Sequence, residues 1–241
     1  MPHNLPIHAR IAALNGYYRH HAGIDVLSGV VTNPKAGQLT LVSSFGAESV
    51  VLLHMVSVVN PRLPVLFIDT EMLFPETLAY QQEVAAHLGL RDVRTIRAAD
   101  IAPHDPDGTL HQTNPDACCA LRKTAPLEKA LLPFDGWITG RKRFQAGSRA
   151  QLEFFEADGP ARIKVNPLAH WTPDDVQDYI INNRLPRHPL VAQGYPSIGC
   201  APCTSPVREG EDARAGRWRN TEKEECGIHI VDGKIIRRPA A

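Results

Sequence analysis

A chain of 241 residues, 43% of them hydrophobic, can bury one substantial core. Lys and Arg together number 26, as do Asp and Glu, so no overall field draws the protein toward nucleic acid or an anionic membrane, and any anion site must be built locally. The N-terminal residues lack a signal-peptide core and no stretch approaches the ~18 uninterrupted apolar residues of a membrane span, so a cytoplasmic chain is expected, in which five cysteines point to metal or catalysis rather than structural disulfides.

Residues 5–31 mix apolar and polar positions at near-helical spacing and predict one or two packing helices, ending in a turn at Gly37. From Gln38 short apolar runs take over: LTLVSSF, LPVLFIDT, DVRTI and GWITG, separated by longer segments such as SVVLLHMVSVV and PETLAYQQEVAAHLG. That alternation predicts an α/β fold, a parallel-rich sheet flanked by helices. Pro75 and Gly89 bracket one helix with the usual Pro-first, Gly-last asymmetry. Thr172-Pro173-Asp174-Asp175 reads as a cap leading into VQDYIINN, which stops at Leu185-Pro186. Residues 186–226 have little periodicity and predict loops held by something other than a core.

Ser43-Ser44-Phe45-Gly46-Ala47-Glu48-Ser49 falls between a strand and a helix, where backbone N–H groups, the helix dipole and added serine donors suit an anion. A plain structural turn would read the same way. Asp69-Thr70 ends the next strand and places a carboxylate and a hydroxyl in the same crevice, suited to ribose or base. The pairing resembles the nucleotide loop of the adenine nucleotide α-hydrolase-like superfamily. Its ATP-cleaving members carry SGGxDS; here SFGAES puts Phe45 and Ala47 in the middle and Glu48 in the acidic place, and the bulk implies a shorter anionic tail than a triphosphate. The GK[ST] of a Walker loop is absent.

Cys118-Cys119 and Cys200-x-x-Cys203 supply four thiols. Thiolate-only ligation suits soft metals. Adjacent cysteines diverge on a helix and reach two irons of a cluster more easily than one zinc, whose sites use C-x₂₋₄-C in both halves, so an iron–sulfur cluster is favoured over zinc. Buried bystander thiols and a thioredoxin-like CxxC remain as readings, although the loop around Cys200 offers neither a core nor a following helix. Cys226 stands alone in Glu224-Glu225-Cys226-Gly227-Ile228-His229; from composition it is equally a surface thiol or a nucleophile activated by groups that folding brings.

CCALRK, GCAPCTSP, ARAGRWRN and ECGIH together resemble the assimilatory adenylyl-sulfate reductases, the iron–sulfur branch of the sulfonucleotide reductase family, over residues 38–229. The resemblance implies a [4Fe–4S] cluster on Cys118, Cys119, Cys200 and Cys203, with Cys226 as the nucleophile. Lys123 lies between cluster and substrate in that pattern, and Arg143, Arg214, Arg217 and His229 surround the phosphosulfate. Ser43, Ser44, Gly46, Glu48, Ser49 and Asp69 complete the expected substrate site. Residues 1–211 form a single nucleotide-binding domain in this reading, and 212–241 a mobile catalytic tail. Reduction of adenylyl sulfate to sulfite and AMP through an S-sulfocysteine, with thioredoxin or a glutaredoxin-like dithiol as donor, is the implied activity. A dual enzyme also taking the 3′-phosphorylated substrate, an ATP-dependent adenylating enzyme with structural zinc, and a non-catalytic metal module are the alternatives. A homo-oligomer is compatible with the sequence, which fixes no subunit number.

Overall fold

The computed structural model describes residues 6–33 and 36–219. Two helices, α1 (Ile7–Tyr18) and α2 (Gly23–Val31), precede the first strand and pack onto the core through Leu14, Tyr18, Val26, Leu27 and Val30. The sheet then alternates with helices: β1 (Leu39–Ser43), α3 (Ser49–Val59), β2 (Val65–Ile68), α4 (Pro75–His87), β3 (Val93–Ile96). Short helices α5 (Leu110–Thr113) and α6 (Pro115–Cys119) run through a π-helical turn at 120–124 into α7 (Ala125–Leu131), which leads to β4 (Gly136–Ile138). Strands β5 (Phe155–Asp158) and β6 (Arg162–Val165) and helix α8 (Pro173–Asn182) follow.

The six strands lie in the order β3-β2-β1-β4-β6-β5. All neighbours are parallel except the β5–β6 hairpin. Every residue of β2 is buried, as expected of a central strand covered on both faces. Helix α3 is apolar nearly all round and buries Val50 to Leu53, Met55 and Val56, which makes it a core helix rather than an amphipathic one. The predicted stops and starts are physical. Gly89 takes φ +64° just past α4. At α8 the Thr172 hydroxyl accepts from Asp175 N–H while the Asp175 carboxylate accepts from Thr172 N–H, a reciprocal capping box.

The hairpin was not anticipated. Its strands are four residues each and rich in charge, so neither shows an apolar run, yet it widens the sheet on the β4 side. Strand β1 pairs with β2 on one edge and β4 on the other, with Leu41 beside Val65 and Leu39 beside Gly136. The chain therefore leaves β1 and β4 in opposite senses, and the crevice beyond their carboxyl ends is the place where open α/β sheets bind ligands. Among the described residues, no helix is long and apolar enough to cross a membrane.

Candidate functional site

A cavity of about 240 Å³ opens in that crevice. The β1–α3 loop forms one wall, with Ser43, Ser44, Gly46, Glu48 and Ser49 all on its lining. Phe45 does not face it. Its φ is +48° and its ring is fully buried edge-on against Phe67, 5.3 Å between centroids, so the expectation that its bulk narrows the site is corrected: the strained backbone turns the ring into the core. The loop also spends donors on itself. Phe45 N–H donates to Ser43 Oγ at 3.2 Å and Gly46 N–H to Ser49 Oγ at 3.0 Å.

The opposite wall follows β4. Among the described residues six lining side chains are cationic, Lys123, Arg141, Lys142, Arg149, Arg214 and Arg217, against the single carboxylate of Glu48. In a crevice with low-dielectric walls such an excess focuses positive potential and attracts an anion although the chain as a whole is neutral. Lys142 is 2% exposed and donates to Glu48 Oε2 at 2.7 Å and to Gly140 O at 3.1 Å. Burial pushes its amine below the usual lysine range, with Arg149 and Arg214 adding to the push and Glu48 opposing it. Arg141 is held from behind by the unanticipated hairpin: it donates to Glu156 and to Asn166 Oδ1, while Asn166 also accepts from Thr139 and donates to Glu156.

Two expected residues lie elsewhere. Arg143 turns away, donating to Leu152 O at 2.7 Å and to Glu153 at 2.9 Å, and it is absent from the cavity lining. Asp69 accepts from Glu71 N–H and from Arg97, while its neighbour Thr70 reaches the cavity instead. Arg141, Lys142 and Arg149 were the cations that sequence reasoning passed over. Their signal was the basic density of GRKRFQAGSR itself; which of its members face inward depends on how the chain bends after β4.

Residues 212–219, assigned by the sequence to the tail, pack against the Cys203 loop. Trp218 N–H donates to Cys203 O, Ser205 N–H to Gly216 O, and Arg219 pairs with Glu211 at 2.8 Å. This packing carries Arg214 and Arg217 to the cavity. Arg217 is 8% exposed, donates to Ile198 O at 3.3 Å and stacks on Trp218, 4.4 Å from the ring centroid. Its guanidinium lies so close over Gly199 that a Cβ there would collide with it. Cys226 and His229 lie outside the described residues.

The four expected cysteines converge. Cys118 and Cys119 close α6 where the chain widens into the π-helical turn, and with Cys200 and Cys203 they line a second, small cavity. Antiparallel bridging of Leu73 to Cys200 and the Ala201 N–H to Met72 O bond at 2.7 Å bring the C-terminal pair to the end of β2. Thr70, Lys123 and Cys200 line both cavities, so the thiols and the cationic crevice share a wall. Burial, with Cys119 beside it, pushes the Cys118 thiol up to about 11, and burial also raises Cys203. Burial opposes ionisation of Cys200 too, but Lys123, the Thr70 hydroxyl at 3.2 Å and Arg217 outweigh it and hold that thiol below the ordinary range. Among the described residues no three His, Cys, Asp or Glu side chains are placed to chelate a single metal ion. The donor set is nonetheless that of a soft centre: four thiols, with the cations Arg122 and Lys123 beside them to offset thiolate charge.

A family model described as the phosphoadenosine phosphosulfate reductase domain matches residues 38–206. The chain is 49% identical over 224 residues to the adenosine 5′-phosphosulfate reductase of Mesorhizobium japonicum, covering 92% of this chain and 88% of that protein. It is 47% identical over 230 residues to the adenosine 5′-phosphosulfate reductase of a Chelativorans species, at 93% and 94% coverage. The phosphoadenosine 5′-phosphosulfate reductase of Gloeobacter violaceus is 43% identical over 198 residues, at 80% and 82% coverage. Among solved structures, the phosphoadenylyl-sulfate reductase of Candida auris in a phosphate complex superposes with a TM-score of 0.68 at 30% identity, covering 82% of this chain and 96% of that one. An FMN adenylyltransferase of Candida glabrata, at TM-score 0.52 and 16% identity over 86% and 80% of the two chains, shares the fold.

Proposed function

Because the chain belongs to the phosphoadenosine phosphosulfate reductase family, we propose that it reduces adenylyl sulfate to sulfite and AMP, the activity that its Mesorhizobium and Chelativorans relatives are named for. The carrying observation is the shared wall: a crevice lined, among the described residues, by six cations and one carboxylate, joined through Thr70, Lys123 and Cys200 to a cavity of four thiols.

Adenylyl sulfate is a mixed anhydride whose sulfur is shielded by the negative charge of its oxygens. Neutralising that charge is the first task of the site. Arg149, Arg214 and Arg217 offer planar forks to phosphate and sulfate oxygens, and Lys123 a compact point charge. In this reading the Cys226 thiolate attacks the sulfur, the bond from sulfur to the bridging oxygen breaks, and AMP leaves with the electron pair. The enzyme then holds an S-sulfocysteine. One thiolate of a protein dithiol such as thioredoxin attacks the Cys226 sulfur and sulfite departs. The donor's second thiol resolves the mixed disulfide and returns Cys226 as thiolate, so the two electrons come from the dithiol. The cytoplasm, where dithiols are kept reduced, suits this cycle.

Cys118, Cys119, Cys200 and Cys203 would hold a [4Fe–4S] cluster, which supplies structural ties and local electrostatics rather than an electron in this scheme. Adjacent cysteines in one half of the set support a cluster over zinc. A second reading, a dual enzyme that also takes the 3′-phosphorylated substrate, draws on the similarity to the Gloeobacter relative. The test is sulfite formation with thioredoxin from each nucleotide in competition. A kcat/KM clearly higher for adenylyl sulfate is expected; equal values establish the dual enzyme, and sulfite from neither overturns the proposal.

A further inference from the structure

Resting on the reading of the crevice as a nucleotide site, we propose that Thr77 donates its hydroxyl hydrogen to an acceptor on the nucleoside part of the substrate, and that His188 fixes the direction of that donor. The imidazole of His188 is 1% exposed and packs against the Tyr80 ring at 4.8 Å between centroids, while Tyr80 Oη donates to Pro186 O at 2.8 Å. Its two nitrogens have fixed duties. Leu190 N–H can only donate, and it lies 3.2 Å from Nδ1, so Nδ1 carries a lone pair. The ring hydrogen of the neutral imidazole is therefore on Nε2, which lies 3.0 Å from Thr77 Oγ1. Thr77 must accept that bond.

An accepting hydroxyl still has one hydrogen to place. Thr77 is 1% exposed, sits in the first turn of α4 and lines the crevice, and among the described residues its side chain makes one hydrogen bond, the one to His188. A buried donor left unmade is costly, so a ligand that brings an acceptor is favoured over one that does not. Burial keeps His188 neutral by lowering its pKa to about 4, so the arrangement persists at any pH at which such an enzyme works. The neighbours indicate which part of the ligand is met. Leu73, one turn before Thr77, lines the crevice as well, whereas the cations come from 123, 141–149 and 214–217, on other elements. A neutral, oriented donor beside an apolar side chain suits a base nitrogen or ribose oxygen better than a sulfate. His188 also caps the turn at Pro189–Gln193 that leads to the crevice wall at 196–199, so one side chain sets both the donor and the wall facing it.

The experiment measures AMP binding by calorimetry, and KM and kcat with adenylyl sulfate, for the full-length protein. Thr77→Val keeps the shape and removes the hydroxyl. It should weaken AMP binding about fivefold to tenfold, the share of one neutral hydrogen bond, and raise KM by a similar factor with a smaller change in kcat. Thr77→Ser should restore both to within about twofold, a rescue that loss of packing alone would not give. His188→Asn, which can still accept from Leu190 N–H but cannot reach Thr77, should shift AMP affinity in the direction of Thr77→Val. Wild-type AMP affinity and KM in Thr77→Val overturn the proposal, as does equal weakening by Thr77→Ser. A wild-type protein that forms sulfite while Thr77→Val changes nothing removes Thr77 alone; a wild type that neither binds AMP nor forms sulfite removes the functional reading beneath it.

Discussion

Nζ of Lys142 lies 2.7 Å from Oε2 of Glu48, and this ion pair joins the loop after β1 to the loop after β4 across the crevice between them. The lysine is nearly buried and the glutamate partly so, at 3% and 25% side-chain exposure. Removing one partner of such a pair leaves the other charge uncompensated, which costs more than removing both. Lys142→Met should lower stability by about 3 kcal/mol and leave the Glu48 carboxylate facing an anionic substrate, raising KM more than tenfold. Lys142→Met with Glu48→Gln should recover part of both losses. Denaturant titration and steady-state kinetics of the two single variants and the double variant measure the coupling.

Gly199 tests how Arg217 is placed. Because a Cβ at this position would meet the Arg217 guanidinium, Gly199→Ala must push that side chain off its contact with Ile198 O and off the crevice wall. KM for adenylyl sulfate should rise about tenfold, the scale of one lost charge-assisted contact. Gly16→Ala, where a Cβ meets nothing within 4 Å, is the control and should leave KM unchanged. Equal KM in both variants would show that Arg217 makes no substrate contact.

Strands and helices with strong patterns were legible in the sequence, and so was the convergence of the cysteines on one place. Periodicity reports burial, and β1, β2 and α3 are buried. The β5–β6 hairpin was not legible because its strands alternate weakly and carry Glu156, Asp158, Arg162 and Lys164. Those charges exist for a reason that only three dimensions reveal: Glu156 holds Arg141, and Asp158 accepts from the Trp137 indole. The same limit explains Arg143. A motif fixes which stretch is basic, but the change from extended backbone at Lys142 to the 3-10 turn Arg143–Gln145, whose first residue donates its N–H to Ala169 O, decides which cation turns inward. Asp69 fell to a similar local effect, since a carboxylate ending a strand can satisfy the following turn, here Glu71 at φ +59°, as readily as a ribose.

The thiol cavity makes a prediction independent of turnover. Anaerobically purified protein should contain about four irons and four sulfides per chain and absorb broadly near 400 nm. Cys118→Ser, Cys119→Ser, Cys200→Ser and Cys203→Ser should each lose the iron and the colour. Stoichiometric zinc without sulfide would instead assign the four thiols to a structural zinc site and return the adenylating enzyme to consideration.

His188 should leave a signature in acid stability. Its folded pKa, about 4, lies below the ordinary value of 6.5 because burial disfavours the charged ring. Between those values the unfolded chain binds a proton that the folded one refuses, so stability falls as pH drops from about 6.5 to about 4 and the loss then levels off. The contribution is at most about 3 kcal/mol at pH 4, from the size of the shift. His188→Gln, which cannot titrate, should lack this share of the pH dependence even if it is less stable at pH 7. Chemical denaturation of both proteins at pH 7 and pH 4.5 compares the slopes, and parallel slopes would mean that the ring ionises as readily folded as unfolded.

Cys226 lies beyond Arg219, the last of the described residues, and the anchoring of Arg219 limits how far the Cys226 thiol can reach. Arg219 is fixed by Glu211 and by Pro206 O, and Trp218 by Cys203 O. Cys226 stands seven positions after Arg219 in the sequence. At up to ~3.5 Å per residue that length spans at most roughly 25 Å, so the Cys226 thiol can act only within that radius of Arg219. We therefore predict that Cys226 carries the reaction and that the fold does not need it. Cys226→Ser should keep its iron, its denaturation midpoint and its AMP affinity, because the four thiols and the cationic crevice are assembled from other residues, and should form no sulfite, a serine hydroxyl being a far weaker nucleophile at neutral pH. Incubating the wild type with adenylyl sulfate in the absence of any dithiol should add one SO₃ to the peptide that contains Cys226, read by mass spectrometry, with one AMP released per chain. Thioredoxin added afterwards should remove the adduct as sulfite. An adduct on any other residue, or one that forms in Cys226→Ser, would take Cys226 out of the mechanism and leave the cationic crevice in need of a different nucleophile.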